Sequence, residues 1–352
     1  YPVGTDRSRS GAFTMREGET ATMSTSSTTD RILVPLDGSW VGMAAIPWLR
    51  AIATDTTQIV LLRAVGLTLP SAGIGAMTPE TYDILQRQAL DGATAYLDAV
   101  AEEIADLTPN ITKVVRLGAP SDEIIIEAER QGASMIVMAT EGRGVAGRII
   151  AGSVADRVAR VASVPVMLVP ARSEPAPFIH DPAPVGRIVV PCDGSELARN
   201  AIPVAATLAG RLDVPVHLLR VVPTAEQMVA RQGEDPSDRI YQRIARAVPG
   251  LPVPTVDRAW YEGYIRAIRG ALESEASKIA ATGVNAGSET LIGETVPRIL
   301  ESLMPDDVIV MTSHGEGGVR RWLMGSVAEQ LVHEAVAPVV LVPAPGREQL
   351  AG

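Results

Sequence analysis

Cysteine is almost missing from this chain. Cys192 stands alone among 352 residues, which excludes an intrachain disulfide and any cysteine-based zinc site. Histidine is scarce too: there are four (180, 217, 314 and 333), none in HExxH spacing, which argues against a zinc hydrolase. Aromatic residues make up 3%, and the net charge is −10 with a pI near 5.0. Nucleic acids and anionic membrane surfaces are met by basic patches and stacking aromatics, so neither is expected as the main partner. No apolar run reaches the roughly 18 residues needed to span a bilayer. Residues 1–29 are rich in Ser, Thr and Gly and lack both periodicity and the apolar stretch of a signal peptide. They read as a flexible tail with Met23 as a candidate start, and a cytoplasmic location follows by default.

At this length, a hydrophobic content of 46% is enough for two cores. The chain also repeats itself. Arg31-Ile-Leu-Val-Pro-Leu-Asp-Gly-Ser39 returns as Arg187-Ile-Val-Val-Pro-Cys-Asp-Gly-Ser195, at an offset of 156 residues. Gly152-Ser153-Val154-Ala155 returns as Gly325-Ser326-Val327-Ala328, at an offset of 173. The second copy therefore carries about 17 extra residues in its middle, near 243–260. Between the copies, Ser173–Gly186 holds four prolines, which forbid helix and favour an extended spacer. The expected organisation is a tail (1–29), a first domain (30–171), a Pro-rich linker (172–186), a second domain (187–345) and a C-terminal tail (346–352).

Short apolar runs alternate with longer amphipathic ones in each copy. Strands are expected at 31–36, 58–65, 111–117, 135–139 and 165–169, and again at 187–192, 215–222, 287–292, 308–312 and 338–342. Nearly continuous β-branched runs such as Ile188-Val189-Val190 suit a parallel sheet covered on both faces. The fold class is α/β: two tandem doubly wound, Rossmann-like domains with five-stranded parallel sheets. Ligands of such sheets sit at the carboxyl ends of the strands.

Gly142-Arg143-Gly144-Val145-Ala146-Gly147 matches GxGxxG. A dinucleotide fingerprint, however, follows the first strand and opens a helix, whereas this one follows the fourth strand. The second copy has Arg320 where the third glycine would stand. A phosphate loop of the Walker type lacks its lysine here. Both copies keep Gly-(nine residues)-Gly-Ser, as Gly142 to Gly152-Ser153 and as Gly315 to Gly325-Ser326. Glycine permits close backbone approach, and a helix opening at Gly-Ser offers free N–H groups to an anion. Asp37 and Asp193 end the first strands on the same edge, where a carboxylate suits a ribose hydroxyl. The plainer readings are that Ser153 and Ser326 are N-caps and that Asp-Gly-Ser is a turn. Recurrence of both features in both copies favours a nucleotide cleft.

These residues resemble the universal stress protein family over almost all of 30–345. The family motif is Gly-x2-Gly-x9-Gly-Ser/Thr after the fourth strand, with Pro-x-Asp at the end of the first. The resemblance implies an adenine-nucleotide alpha-hydrolase-like fold and, for many members, ATP bound with Mg2+. Carried over by position, Pro35, Asp37 and Ala64 would line the adenosine side of the first domain. Pro191, Asp193 and Val221 would do so in the second. Gly142, Gly152, Ser153 and Val154 would meet phosphates, as would Gly315, Gly325, Ser326 and Val327. Both copies depart from the motif at its first glycine, where Ala139 and Thr312 stand. A β-branched Thr resists positive φ. Glu141, opposite His314 of the second copy, would repel a phosphate ~6 Å away by roughly 1–3 kcal/mol at an effective dielectric of about 20. Arg320 and Arg321 either neutralise phosphate or form a solvated face. The family pairs its last strand across a dimer, so 165–170 and 338–343 suggest an intrachain pseudo-dimer, with further homodimerisation open.

The expected function is a stress-responsive ATP-binding module, with ATP in the second domain first of all. The alternatives are an ATP-independent interaction module and a slow ATPase. A related adenine-nucleotide hydrolase would carry Ser-Gly-Gly after the first strand, which Asp37-Gly38-Ser39 does not supply. No catalytic residue or protein-held metal is expected.

Overall fold

The computed structural model describes residues 30–66, 78–140, 153–171, 180–232, 258–313 and 324–344. Residues 1–29, part of the linker, both Gly-rich turns and 345–352 lie outside the described residues. The first repeat runs β1 (Arg31–Pro35), α1 (Ile46–Ile52), β2 (Gln58–Val65), α2 (Pro79–Glu103), β3 (Ile111–Leu117), α3 (Pro120–Gln131), β4 (Met135–Thr140), α4 (Ser153–Val161) and β5 (Val166–Pro170). The second runs β6 (Arg187–Pro191), α5 (Glu196–Arg199), α6 (Ala201–Leu212), β7 (Val216–Val222), α7 (Ala225–Gln232), α8 (Arg258–Ala280), β8 (Ala286–Ile292), α9 (Thr295–Ser302), β9 (Asp307–Thr312), α10 (Ser326–Glu334) and β10 (Val339–Val342).

The central strands are apolar on both faces because helices cover both. Ile32 and Val34 of β1 join one cluster with Leu49 of α1 and Leu97 of α2. Leu33, between them, points the other way and packs with Ile124 of α3 and Val158 of α4. The second repeat follows the same alternation, with Ile188 and Val190 on one face and Val189 on the other. Helix ends follow local chemistry. In α3, Pro120 opens the helix, Asp122 and Glu123 sit in the first turn, and Gly132 ends it at φ 60°.

The strand order is β3-β2-β1-β4-β5-β10-β9-β6-β7-β8 in a single ten-stranded sheet. Each half is parallel in the order expected of a doubly wound domain. The two five-stranded sheets read from the sequence are thus halves of one sheet. They join where β5 and β10 pair antiparallel, with Leu168 opposite Val339 and Val166 opposite Leu341. This is the intrachain pseudo-dimer contact, and it leaves β3 and β8 as the sheet edges. On one face of the junction, Arg160 of α4 bonds Asp156 of its own helix at 2.9 Å and Glu329 of α10 at 3.2 Å.

The described part of the linker is docked rather than free. Ala183 N donates to Pro47 O at 2.8 Å, Gly186 N donates to Asp306 O at 2.8 Å, and Val185 packs on the core. The prolines keep the segment irregular without holding it away from the domains. Among the described residues no helix is long and apolar enough to cross a membrane.

Candidate functional site

The Pro-x-Asp segments close β1 and β6 at their carboxyl ends. Leu36 N donates to Leu62 O and Cys192 N to Leu219 O, both at 2.8 Å, which extends each pairing one residue past the strand. The chain then turns. Asp37 Oδ1 accepts from Ser39 N (2.9 Å) and from Ser39 Oγ (2.5 Å), and Asp193 Oδ1 accepts from Ser195 N (2.9 Å) and Ser195 Oγ (2.6 Å). Each serine passes the hold on: Gly42 N donates to Ser39 Oγ at 3.1 Å, and Ala198 N donates to Ser195 Oγ at 3.0 Å. The turn reading of Asp-Gly-Ser is therefore realised in both copies. It engages Oδ1 and leaves both aspartates exposed at the sheet edge. Gly38 (φ 77°) and Gly194 (φ 88°) sit in the left-handed region that the turn requires.

The structure corrects the reading of the first motif position. Ala139 and Thr312 are ordinary strand residues, paired with Val169 and Val342. Among the described residues the one non-glycine with positive φ is Asp213, so Thr312 is under no such demand. The N-cap reading of the serines is corrected too. Gly325 is the N-cap of α10, at φ −62° and ψ 145°, and Ser326 is the first helical residue, with no side-chain cap. Ser153 likewise opens α4, and both serines are exposed. Gly325 N donates to Ser313 O at 2.8 Å, which ties the start of α10 to the end of β9. Gly142, Gly152 and Gly315, with Glu141, His314, Arg320 and Arg321, lie outside the described residues.

Val221 and Val327 pack against the same apolar cluster, and Val154 occupies the matching place in the first copy. Beside Val327 a cavity of about 400 Å³ opens, lined by Gln227, Glu294, Thr295, Val296, Pro297, Val327 and Gln330. The first turns of α7, α9 and α10 meet there. Helix α7 is capped reciprocally: Gln227 N donates to Thr224 Oγ1 (3.2 Å) and Thr224 N to Gln227 Oε1 (2.9 Å). Neither α9 nor α10 has a side-chain cap. Residues of both leading turns line the cavity, with backbone N–H groups at Thr295 and Val296 of α9, where Pro297 has none, and at Ser326 and Val327 of α10. In the first copy, Arg157 of α4 pairs with Asp122 of α3 across the matching groove. By position, Gln330 and Pro297 stand there in the second.

Sequence reasoning missed three features of this edge. Gln227 and Glu294 are polar singletons without a counterpart in the first copy. Arg63 and Arg220 recur in Leu-Leu-Arg-Ala-Val and Leu-Leu-Arg-Val-Val, a signal visible in the repeat itself. Cys192, inside Pro-x-Asp, is pushed up to about 12 by burial, opposed by the Arg220 charge. It holds no thiolate at neutral pH.

The model of the universal stress protein family matches residues 28–170 and 184–343. The chain belongs to the universal stress protein family. Its two modules are in tandem. A universal stress protein of Mycobacterium tuberculosis H37Rv is 24% identical, covering 92% of this chain and 98% of its own. Among solved structures, a universal stress protein of Archaeoglobus fulgidus is 19% identical with a TM-score of 0.59, covering 90% of this chain and 99% of that one. That likeness is one of fold. A universal stress protein solved in complex with cAMP is 27% identical with a TM-score of 0.27, covering 41% of this chain and 98% of its own.

Proposed function

We propose that this universal stress protein binds ATP in its second module and acts as a stress-responsive cytoplasmic binding module. The modules are taken as 30–171 and 187–345. The reading is carried by the cavity beside Val327, where the uncapped N-terminus of α10 faces the α9 side marked by Glu294. Such a place suits an anion, and about 400 Å³ is within the range of small-molecule sites.

Pro191, Asp193 and Val221 stand on the adenosine side, with the exposed Asp193 carboxylate turned to a ribose hydroxyl. Gly325, Ser326 and Val327, together with Gly315, take the phosphates. Glu294 is acceptor-only when ionised. It suits the amino group of adenine and repels phosphate, so it sets the base toward α9 and the phosphates toward α10. Mg2+ arrives on the polyphosphate. Pro35, Asp37, Ala64, Gly142, Gly152, Ser153 and Val154 form the matching set in the first module. There the Arg157–Asp122 pair spans the groove, which supports the second module as the principal site. Any hydrolysis is slow, since phosphoryl transfer to water needs a positioned base that no residue assigned here supplies.

Titration calorimetry of the full chain with Mg-ATP tests this, beside a folded Gly325→Asp variant. One site per chain, lost in the variant, is the expected result. No heat from the wild-type chain, with no nucleotide released on denaturing it, overturns the reading and leaves the interaction-module alternative.

A further inference from the structure

Arg63 and Arg220 occupy the same place in the two modules, one strand away from the Asp-Gly-Ser turns. Each guanidinium lies against the turn's glycine. A Cβ built on Gly38 would collide with Arg63 Nη1, and one on Gly194 would fall 2.7 Å from Arg220 Nη1. In the second module Arg220 Nη1 also donates to Cys192 O at 3.2 Å, which ties the strand end to the turn. In the first, the Arg63 guanidinium carbon stands 5.4 Å from the centre of the Tyr96 ring on α2, a cation–π distance. The Tyr96 hydroxyl in turn meets Met43 Sδ at 3.3 Å, next to the start of α1. Arg63 Nε and Nη1 are buried and have no hydrogen-bond partner.

An arginine in that position is a poor choice for stability alone. Buried donors without acceptors are unfavourable, and an apolar side chain of similar length would fill the space without them. What an apolar chain would not supply is a rigid, positively charged plate directly against a carboxylate-bearing turn. Burial pushes the Tyr96 phenol up, with Arg63 opposing and Asp37 adding to the shift, so ring, guanidinium and carboxylate share one electrostatic neighbourhood.

We infer that Arg63 and Arg220 are positioning residues. Each backs its Asp-Gly-Ser turn and holds Asp37 or Asp193 oriented toward the ribose of a bound nucleotide. The ribose contact rests on the nucleotide reading above, whereas the backing of the turn does not. The arginines touch no ligand themselves and act through the aspartates.

Two measurements on the full chain separate these parts. In the apo protein, hydrogen exchange of the peptides covering 36–43 and 193–199 reports the Ser39, Gly42, Ser195 and Ala198 amides. Arg63→Met and Arg220→Met are expected to speed exchange on the order of tenfold in their own module's peptide, with β1 and β6 unchanged. Unchanged exchange overturns the inference. With ligand, the ratio of Kd for 3′-deoxy-ATP to that for ATP reads the ribose contact. In the wild type the ratio is expected on the order of tenfold, one hydrogen bond to a charged group. In Arg220→Met it falls toward one, and Arg220→Lys, which restores charge without the flat plate, does not recover it. A ratio unchanged in Arg220→Met overturns the positioning role even if exchange rises. Failure of the wild-type chain to bind ATP overturns the nucleotide reading itself, and is seen before any variant is compared.

Discussion

Met167 of β5 lies directly opposite Val340 of β10, in the antiparallel step that joins the two parallel halves. Both are fully buried, and both belong to a cluster that also holds Val34 of the first module and Val190 of the second. The modules therefore share a core and a hydrogen-bond ladder. Met167→Ala is expected to cost about 2–5 kcal/mol, the range for emptying a fully buried Met. Urea unfolding followed by circular dichroism should show one transition shifted as a whole. Two transitions, only one of them moved, would contradict a shared core.

Glycines separate required from replaceable positions. At Gly194, φ is 88° and the Arg220 guanidinium closes the space, so Gly194→Ala should destabilise by about 1–2 kcal/mol. Gly92 in α2 and Gly270 in α8 have nothing within 4 Å of a built Cβ. Gly92→Ala and Gly270→Ala should each stabilise by about 0.5–1 kcal/mol through helix propensity. Thermal melts of the three variants decide this, and a stabilised Gly194→Ala would refute the account of the turn.

Cys192 makes stability fall in alkali. Burial raises its thiol from 9.0 to about 12, so the folded chain keeps the proton that the unfolded chain loses. The contribution is whole below pH 9 and is lost as pH climbs toward 12. Between those limits the urea midpoint of Cys192→Ala should decline less steeply than that of the wild type. In line with this, alkylation by iodoacetamide at pH 8 should be slow in the native chain and fast in urea. Rapid native labelling would be inconsistent with a half-buried thiol that stays neutral at that pH.

The groove beside Val327 can be tested by exchange between modules. Pro297→Asp with Gln330→Arg transplants the first module's ion pair into the second. Exposed pairs hold only about 1 kcal/mol or less, so Mg-ATP affinity should fall several-fold, not by orders of magnitude. Calorimetry that finds no loss would place the ligand elsewhere than in this groove.

Much of this architecture was legible in the chain. Short apolar runs between longer amphipathic ones mark ten strands whose order of types repeats, and the structure places each within a residue or two of expectation. Ile188-Val189-Val190 reads as a strand buried on both faces because each residue reports its own burial. Asp-Gly-Ser reads as a turn because the hydrogen bonds it makes are local. The site was less legible. Thr312, at the place of a motif glycine, reads as a residue that resists positive φ, yet it is an ordinary strand residue, because a motif records spacing and not φ. Ser326 reads as either a phosphate contact or a plain cap, and the cap falls to the glycine before it, because a one-residue helix boundary is not written in the motif.

The sequence by itself determined the repeat, the doubly wound class of each copy and the two acidic turns, since all depend on contacts within a few residues or within one βα unit. Only the tertiary structure decided that β5 meets β10, that Arg63 and Arg220 lie against Gly38 and Gly194, and that the leading turns of α9 and α10 meet beside Val327. Those contacts join residues far apart in the chain. Their partners are selected by how the packed faces fit together, and no local pattern encodes that fit.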